Sequence, residues 1–327
     1  MTESMAGPAT LTSTDPVLDG FAELVGDQDP VAVAGAKTRW DLGGTVDAEA
    51  RVVEAPSGIV DYSPEEMTVV VRAGTAVGEL NQALAEHGQR TALPDRGGTV
   101  GGALAVGEND LRALGRGMTR TALLQIRYVS AEGKIISSGG PTVKNVSGFD
   151  LPRLMVGSLG TLGLLAEAIL RTNPVPAHRR WLMAEGADPA AVHDALLAPS
   201  AILWDGSSTW VQLEGHQPDV EAQAAILTGL GPFRPAEADP TVDPDAVPVE
   251  LPPHRWSLST AEALTLGRAG GPETGRFVAA VGLGLVFAEH PQPPRTVPAA
   301  AALVSERLKH NFDPSGRLNP GRVVGGR

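Results

Sequence analysis

Glycine is concentrated in three short stretches of this chain: residues 35–44 (GAKTRWDLGG), 97–107 (GGTVGGALAVG) and 157–163 (GSLGTLG), the last with a glycine at every third position. The first follows an apolar strand-like run, VAVA, and the third precedes another, LLAEAIL. Glycine at such junctions admits positive φ and lets backbone N–H groups converge on an anion with no β-carbon in the way. A single stretch of this kind reads as a tight turn. Three of them between residues 35 and 163, with no other phosphate motif in the chain, predict loops gathered around a pyrophosphate-bearing cofactor.

The alternative nucleotide motifs fail on inspection. Gly282 and Gly284 begin a G-x-G-x-x-G pattern, but Phe287 stands where only a small residue fits. The fragment GAKT resembles a P-loop, yet Val31 and Ala36 occupy the positions of its two glycines. No G-x-S-x-G or H-E-x-x-H is present. The histidines, at 87, 178, 193, 216, 254, 290 and 310, never stand two or four apart, so no metal site is expected. Cysteine is absent, which excludes disulfides, Fe–S ligation, a cysteine nucleophile and a cysteinyl flavin link. A net charge of −12 and an aromatic content of 4% speak against nucleic-acid and anionic-membrane partners.

With 327 residues and 42% apolar content, the chain is long enough for about two domains with a substantial core. Residues 1–18 read as a flexible polar tail without a signal peptide. Strands are expected at 31–34, 51–55, 68–72 and 164–170, a helix at 77–87, and a hairpin of 123–130 with 134–138 over the turn AEGK. Beyond Pro176, helices are expected at 189–197 and 220–227, and a hairpin of 201–204 with 209–214 over DGSS. Residues 232–253 hold seven prolines and read as a loop. A terminal helix at 297–310 would turn Ala301, Val304 and Leu308 inward. The longest apolar run, 277–288, has 12 residues and two glycines, too short to span a membrane, so a cytoplasmic protein is expected.

The succession of GAKTRWDLGG, VVVRAGTAVGELNQALAEHGQRTALP, TVGGALAVG and the long segment from YVSAEGK to LRTNPVP resembles the FAD-binding domain of the vanillyl-alcohol oxidase / p-cresol methylhydroxylase (PCMH) type. Within that family it is most similar to FAD-binding subunits of glycolate oxidase, and FDPSGRLNPGR is similar to the family's C-terminal segment. The resemblance covers residues 30–176 strongly and the remainder through ILWDGSSTWVQLEG and HRWSLS. It implies an α+β fold. A two-subdomain PCMH-type FAD-binding domain (19–176) is followed by a smaller α+β cap domain (177–295), with the proline-rich loop 232–253 inside it. A C-terminal helix and segment (296–327) return to the FAD domain.

By position, the resemblance gives Gly35, Ala36, Lys37, Thr38 and Arg39 to the loop wrapping the pyrophosphate. It gives Thr99, Val100, Gly101, Gly102, Ala105 and Gly107 to the second stretch along FAD, and Gly160, Gly163, Leu164 and Leu165 to the turn and strand beside the adenine end. Gly117, Arg120 and Thr121 match the end of the second FAD loop, where Thr121 replaces the family's usual acid. Lys144, Asn145 and Phe149 match a later segment, and Asn319 lies in the C-terminal LNPG. With no Cys, and no His between 35 and 44, FAD is expected to be noncovalent.

Oxidising a 2-hydroxy acid through a flavin needs a base for the hydroxyl proton and a cation for the carboxylate. In the cap, only Arg255, flanked by His254 and Trp256, forms a compact candidate group, and the favoured reading is that Arg255 pairs with a surface acid while Trp256 fills the cap core. Related catalytic subunits carry a histidine cluster that this chain lacks, so no catalytic residue is assigned. The resemblance implies an FAD-carrying subunit of a complex that oxidises glycolate or lactate, with a catalytic FAD subunit and an iron–sulfur subunit as partners. A self-sufficient FAD-linked dehydrogenase and a non-catalytic assembly module are the alternatives.

Overall fold

The computed structural model describes residues 15–140, 150–236, 246–266, 273–294 and 297–324. They form two compact units. One is built from the described residues of 1–110, 118–174 and 295–326, the other from 111–117 and 175–294.

The first unit is organised on a five-stranded antiparallel sheet, in the order Ile59–Ser63, Thr68–Arg72, Leu164–Arg171, Leu123–Val129, Ile135–Gly139. Leu164–Arg171 is the middle strand and is buried on both faces, which is why its sequence is almost wholly apolar. On one face Leu165, Ala168 and Leu170 pack with Val71, Ile126 and the helices Val77–Ala85 and Val100–Val106. On the other, Leu164 and Ala166 pack with Leu18, Phe21, Val31 and Leu318. Pairing with Leu123–Val129 slips between Arg127 and Tyr128, a bulge that resets which side chains face which core. Beside this sheet, Val31–Ala34 and Arg51–Glu54 form a parallel pair that launches the 35–44 loop.

One charge sits inside the sheet. Glu167 lies directly across from Arg72 on one neighbouring strand and from Arg127 on the other, with N···O distances of 2.7 and 3.3 Å. Arg72 also pairs with Asp15, whose carboxylate caps the helix Pro16–Val25 by accepting from the Val17 and Leu18 amides. That helix begins inside the stretch expected to be a flexible tail. Asp15 before Pro16 is a helix-start signal that composition alone concealed; residues 1–14 lie outside the described set.

The second unit is a seven-stranded antiparallel sheet in the order Arg234–Pro235, His178–Glu185, Ser208–Gly215, Ala201–Trp204, Phe277–Ala280, Leu285–Ala288, His254–Ser257. Helices Pro189–Ala195 and Gln217–Thr228 cover one part of it through Val192, Val220 and Leu227. The apolar run 277–288 is a hairpin of two fully buried strands turning at Gly282 and Gly284, both with positive φ. Segment 111–117 belongs here because Arg112 donates from Nε to Gln212 at 2.8 Å, both side chains being buried.

Three expectations need correction. Residues 100–106, read as part of a glycine loop, are a helix whose Val100, Ala103 and Leu104 are buried in the core. In 232–253 most described residues form the expected loop, but Arg234 and Pro235 pair with the sheet edge, and Val247, Val249 and Leu251 pack against the core cluster that holds Trp181 and Phe287; 237–245 lies outside the described residues. In the terminal helix Ala299–Phe312 the inward side is Ser305, Leu308, Lys309 and Phe312, while Ala301 and Val304 are exposed. There Lys309 is drawn in by the Asp313 carboxylate and the carbonyls of Thr161 and Leu318.

Candidate functional site

The first unit carries a narrow slot of about 100 Å³ where the three glycine stretches meet. A pocket enclosing a drug-sized ligand runs to roughly 300–1,000 Å³, so the slot suits one stretch of an extended cofactor. Its walls come from the loop after Val31–Ala34, the start of the Val100–Val106 helix, the turn at Leu159 and Gly160, and the C-terminal Asn319 and Arg322.

These loops pack so tightly that a side chain at several of the glycines would collide with its neighbour. A β-carbon on Gly35 would overlap the Thr99 hydroxyl and lie 2.9 Å from its methyl group. Thr99 in turn caps the helix by accepting from the Gly102 amide at 3.2 Å. A β-carbon on Gly101 would stand 2.8 Å from that of Ala73, at the end of a sheet strand. Asn319 ties the opposite wall. It accepts from the Val33 amide at 3.1 Å and donates from Nδ2 to the Leu159 carbonyl at 2.8 Å.

The slot also holds backbone strain. Among the described residues, four non-glycines have positive φ: Lys37, Met67, Leu159 and Asn319; all but Met67 line the slot. Left-handed backbone at a non-glycine is costly and persists where the surroundings enforce it, most often at ligand sites. The amides of residues 35–38 carry no hydrogen bond to another described residue, which leaves a row of donors at the slot's lip.

Two arginines complete it. Arg39 pairs through Nε with Glu108 at 2.8 Å and donates from Nη1 to the Thr38 hydroxyl at 3.2 Å; its Nη2 is buried with no acceptor among the described residues. Arg322 donates to the Leu42 and Trp40 carbonyls and stacks 4.8 Å from the Trp40 ring, and burial pushes its guanidinium pKa down. Lys37 lies 5.3 Å from the same ring. Free amides, an orphaned guanidinium nitrogen and apolar walls of Val33, Ala55 and Ala105 fit a diphosphate flanked by organic groups.

Of the residues singled out from sequence, Gly35, Ala36, Lys37, Thr38, Arg39, Thr99, Gly101, Gly102, Ala105, Gly160, Leu164 and Leu165 line this slot. Val100 and Gly163 face the core, Gly163 against the Tyr128 ring. Gly107 ends the Val100–Val106 helix at φ 68°, packed on Gly157. Arg120 and Thr121 lie outside the slot, the Thr121 hydroxyl donating to the Met118 carbonyl at 2.8 Å. Gly117 belongs to the second unit, and Lys144, Asn145 and Phe149 lie outside the described residues. Ala73, Trp40, Leu159 and Arg322 line the slot without having been singled out. A small residue before Gly74 was the one signal for Ala73, and the closing NPGR the one for Arg322.

In the second unit, Arg255 lies 5.2 Å from the Phe287 ring, and Trp256 is buried with its indole N–H donating to the His290 carbonyl at 2.7 Å. Among the described residues no three metal-ligating side chains cluster, and no helix is long and apolar enough to cross a membrane.

Comparison with known proteins agrees with this geometry. A sequence profile for the family described as FAD binding domain matches residues 9–139. The chain is 30% identical to glycolate oxidase subunit GlcE of Escherichia coli K12, over 94% of this chain and 96% of that one. It is 32% identical to glycolate oxidase subunit GlcD of Bacillus subtilis 168, over 64% of this chain but 48% of that protein. A D-lactate dehydrogenase of Archaeoglobus fulgidus is 34% identical over 44% of this chain and 33% of its own length. Among solved structures, alkyldihydroxyacetonephosphate synthase superposes with a TM-score of 0.66, over 94% of this chain and 74% of that one, at 14% identity, and so shares the fold.

Proposed function

We propose, since the chain belongs to the FAD-binding family that contains the glycolate oxidase subunits, that it is the FAD-carrying subunit of a complex oxidising a small 2-hydroxy acid, glycolate or lactate. The chain is an FAD-binding oxidoreductase related to glycolate oxidase subunits and D-lactate dehydrogenases, and its cofactor is FAD.

Oxidation of a 2-hydroxy acid breaks the C–H bond at the hydroxyl-bearing carbon, forms a carbonyl, and passes the hydroxyl proton to a base. FAD, when bound, supplies the acceptor for the hydride. In this reading the amides of 35–38 and Nη2 of Arg39 bind the diphosphate, while Val33, Ala55 and Ala105 keep water from the slot. In the compact group singled out in the second unit, Arg255 stacks on Phe287 and the Trp256 indole donates to the His290 carbonyl, and neither side chain is a general base. We therefore assign proton abstraction to a catalytic FAD subunit and onward electron transfer to an iron–sulfur subunit, in a cytoplasmic assembly peripheral to the membrane. The reading of the slot as the FAD site rests on one observation, the convergence of strained loops on the buried, unpartnered Nη2 of Arg39.

The test is expression of the chain alone and with a candidate partner, measuring flavin content and glycolate-dependent dye reduction. The expected result is flavin in both preparations and rapid dye reduction only in the second. A chain that neither retains nor takes up FAD overturns the reading.

A further inference from the structure

We propose that Glu108 is a positioning residue for the cofactor's diphosphate, acting by fixing the Arg39 guanidinium at the slot. This rests on the reading of the slot as the FAD site. Glu108 is 9% exposed and its carboxylate receives two guanidinium groups, Nε of Arg39 on Oε2 and Nη1 of Arg96 on Oε1, each at 2.8 Å. Its backbone is pinned as well: the Glu108 carbonyl accepts from the Thr119 hydroxyl at 2.6 Å, and the Thr119 amide donates to Asn109 at 3.0 Å.

The consequence falls on Arg39. With Nε held by Glu108 and Nη1 by Thr38, the planar guanidinium has one orientation, which leaves Nη2 unpartnered while the side chain is only 9% exposed. Gly98 makes room for this, since a β-carbon there would overlap Nη1. A buried guanidinium N–H without an acceptor is unfavourable, and an anionic oxygen entering the slot relieves it with a charge-assisted hydrogen bond. Lysine cannot stand in for Arg39. It has no second nitrogen to pair with Glu108 while another faces the slot.

The test is a double-mutant cycle on Glu108→Gln and Arg39→Gln, read with three probes on apoprotein: FAD, ADP and riboflavin. ADP carries the diphosphate without the flavin, and riboflavin the flavin without phosphate. We expect each single variant to weaken FAD and ADP about tenfold, the scale of a charge-assisted hydrogen bond, and to leave riboflavin unchanged. The double variant should be no weaker than Arg39→Gln, and Arg39→Lys should fail to rescue. Should Glu108→Gln not fold, Arg39→Gln with Arg96→Gln carries the same comparison, because Arg96 holds the other Glu108 oxygen. Equal weakening of all three probes, or a lower apoprotein melting temperature with unchanged FAD and ADP affinity, would show a merely structural role and overturn the proposal. Gly160→Val separates the two readings: FAD lost there but unaffected in Glu108→Gln removes the role of Glu108 alone, and FAD unaffected in both removes the slot.

Discussion

The side-chain nitrogen of Asn319 occupies the space that a β-carbon on Gly160 would need. The two residues lie far apart in sequence and close the slot from opposite directions, both with left-handed backbone, Gly160 at φ 69° and Asn319 at φ 44°. Gly160→Val therefore meets two obstacles, an unfavourable φ worth about 1–2 kcal/mol and the displacement of Asn319. We expect FAD binding to be lost. Gly101→Val should also impair it by a different route, because its β-carbon drives into Ala73 and unseats the Val100–Val106 helix. Lys37→Ala, which leaves the backbone term unchanged and removes only an exposed cation near Trp40, should cost at most about 1 kcal/mol. FAD titration of the three variants checks the order; parity between Lys37→Ala and Gly160→Val would contradict it.

Asn319→Ala tests the same clamp from the other side. It strips the Val33 amide and the Leu159 carbonyl of their partners in a buried place, each worth about 1–3 kcal/mol when left unsatisfied. Apoprotein should lose stability in urea even without FAD, since both bonds exist within the protein. An unchanged unfolding midpoint would mean that the C-terminal segment contributes nothing to the wall it lines.

This clamp also marks what the sequence could and could not reveal. The glycine stretches were legible because close approach leaves few alternatives to glycine, as the Gly35–Thr99 and Gly101–Ala73 contacts show. The strands 31–34 and 68–72 were legible from β-branched and apolar runs. The pairing of Asn319 with Leu159 was not, because it joins positions distant in the chain and, while asparagine visits left-handed backbone more readily than most residues, nothing in the sequence marks Leu159 as left-handed. Nor was the helix at 100–106, whose glycines signal a loop but here permit tight seating on the sheet. Strands 277–280 and 285–288 escaped because a short apolar run without alternation is ambiguous between helix and strand, and 254–257, HRWS, because it carries no apolar run at all.

Cofactor release should distinguish noncovalent from linked FAD. The chain has no cysteine, and no histidine lies among the residues described as lining the slot. Acid precipitation of the holoprotein should leave the flavin in the supernatant. Yellow colour or fluorescence retained in the washed pellet would show a covalent bond.

The buried Glu167 predicts a pH dependence of stability. Burial pushes its carboxyl above the usual value of 4.5, against the opposing pull of Arg72 and Arg127. The native state then holds this proton more tightly than the unfolded chain does. The contribution is complete below about pH 4.5 and is lost as pH rises through the raised value. Asp15 acts in the opposite sense. Its bond to Arg72 lowers it from 3.8, so its contribution is present above that pH and lost on acidification through the lowered value. Urea unfolding of wild type and Glu167→Gln between about pH 4 and pH 7 reads the first effect. The advantage of wild type over the variant should shrink as pH rises, and an advantage that grows would reverse the sign argued here.

The isolated chain, loaded with FAD, should be a slow dehydrogenase that gains speed in complex with its partner. General acid–base catalysis is typically worth about 10²–10⁴-fold, and neither Arg255, stacked on Phe287, nor Trp256, buried and bonded to the His290 carbonyl, can serve as the base. A guanidinium in that position could still hold a substrate carboxylate, so weak binding without turnover is compatible with the arrangement. Anaerobic stopped-flow bleaching of the flavin by glycolate or lactate, with the chain alone and then with its partner, separates these possibilities. Slow or absent bleaching alone and rapid bleaching together is the expected pair of results. Rapid, complete bleaching by the chain alone, lost in Arg255→Ala, would place a working site in the second unit and make the chain a self-sufficient enzyme.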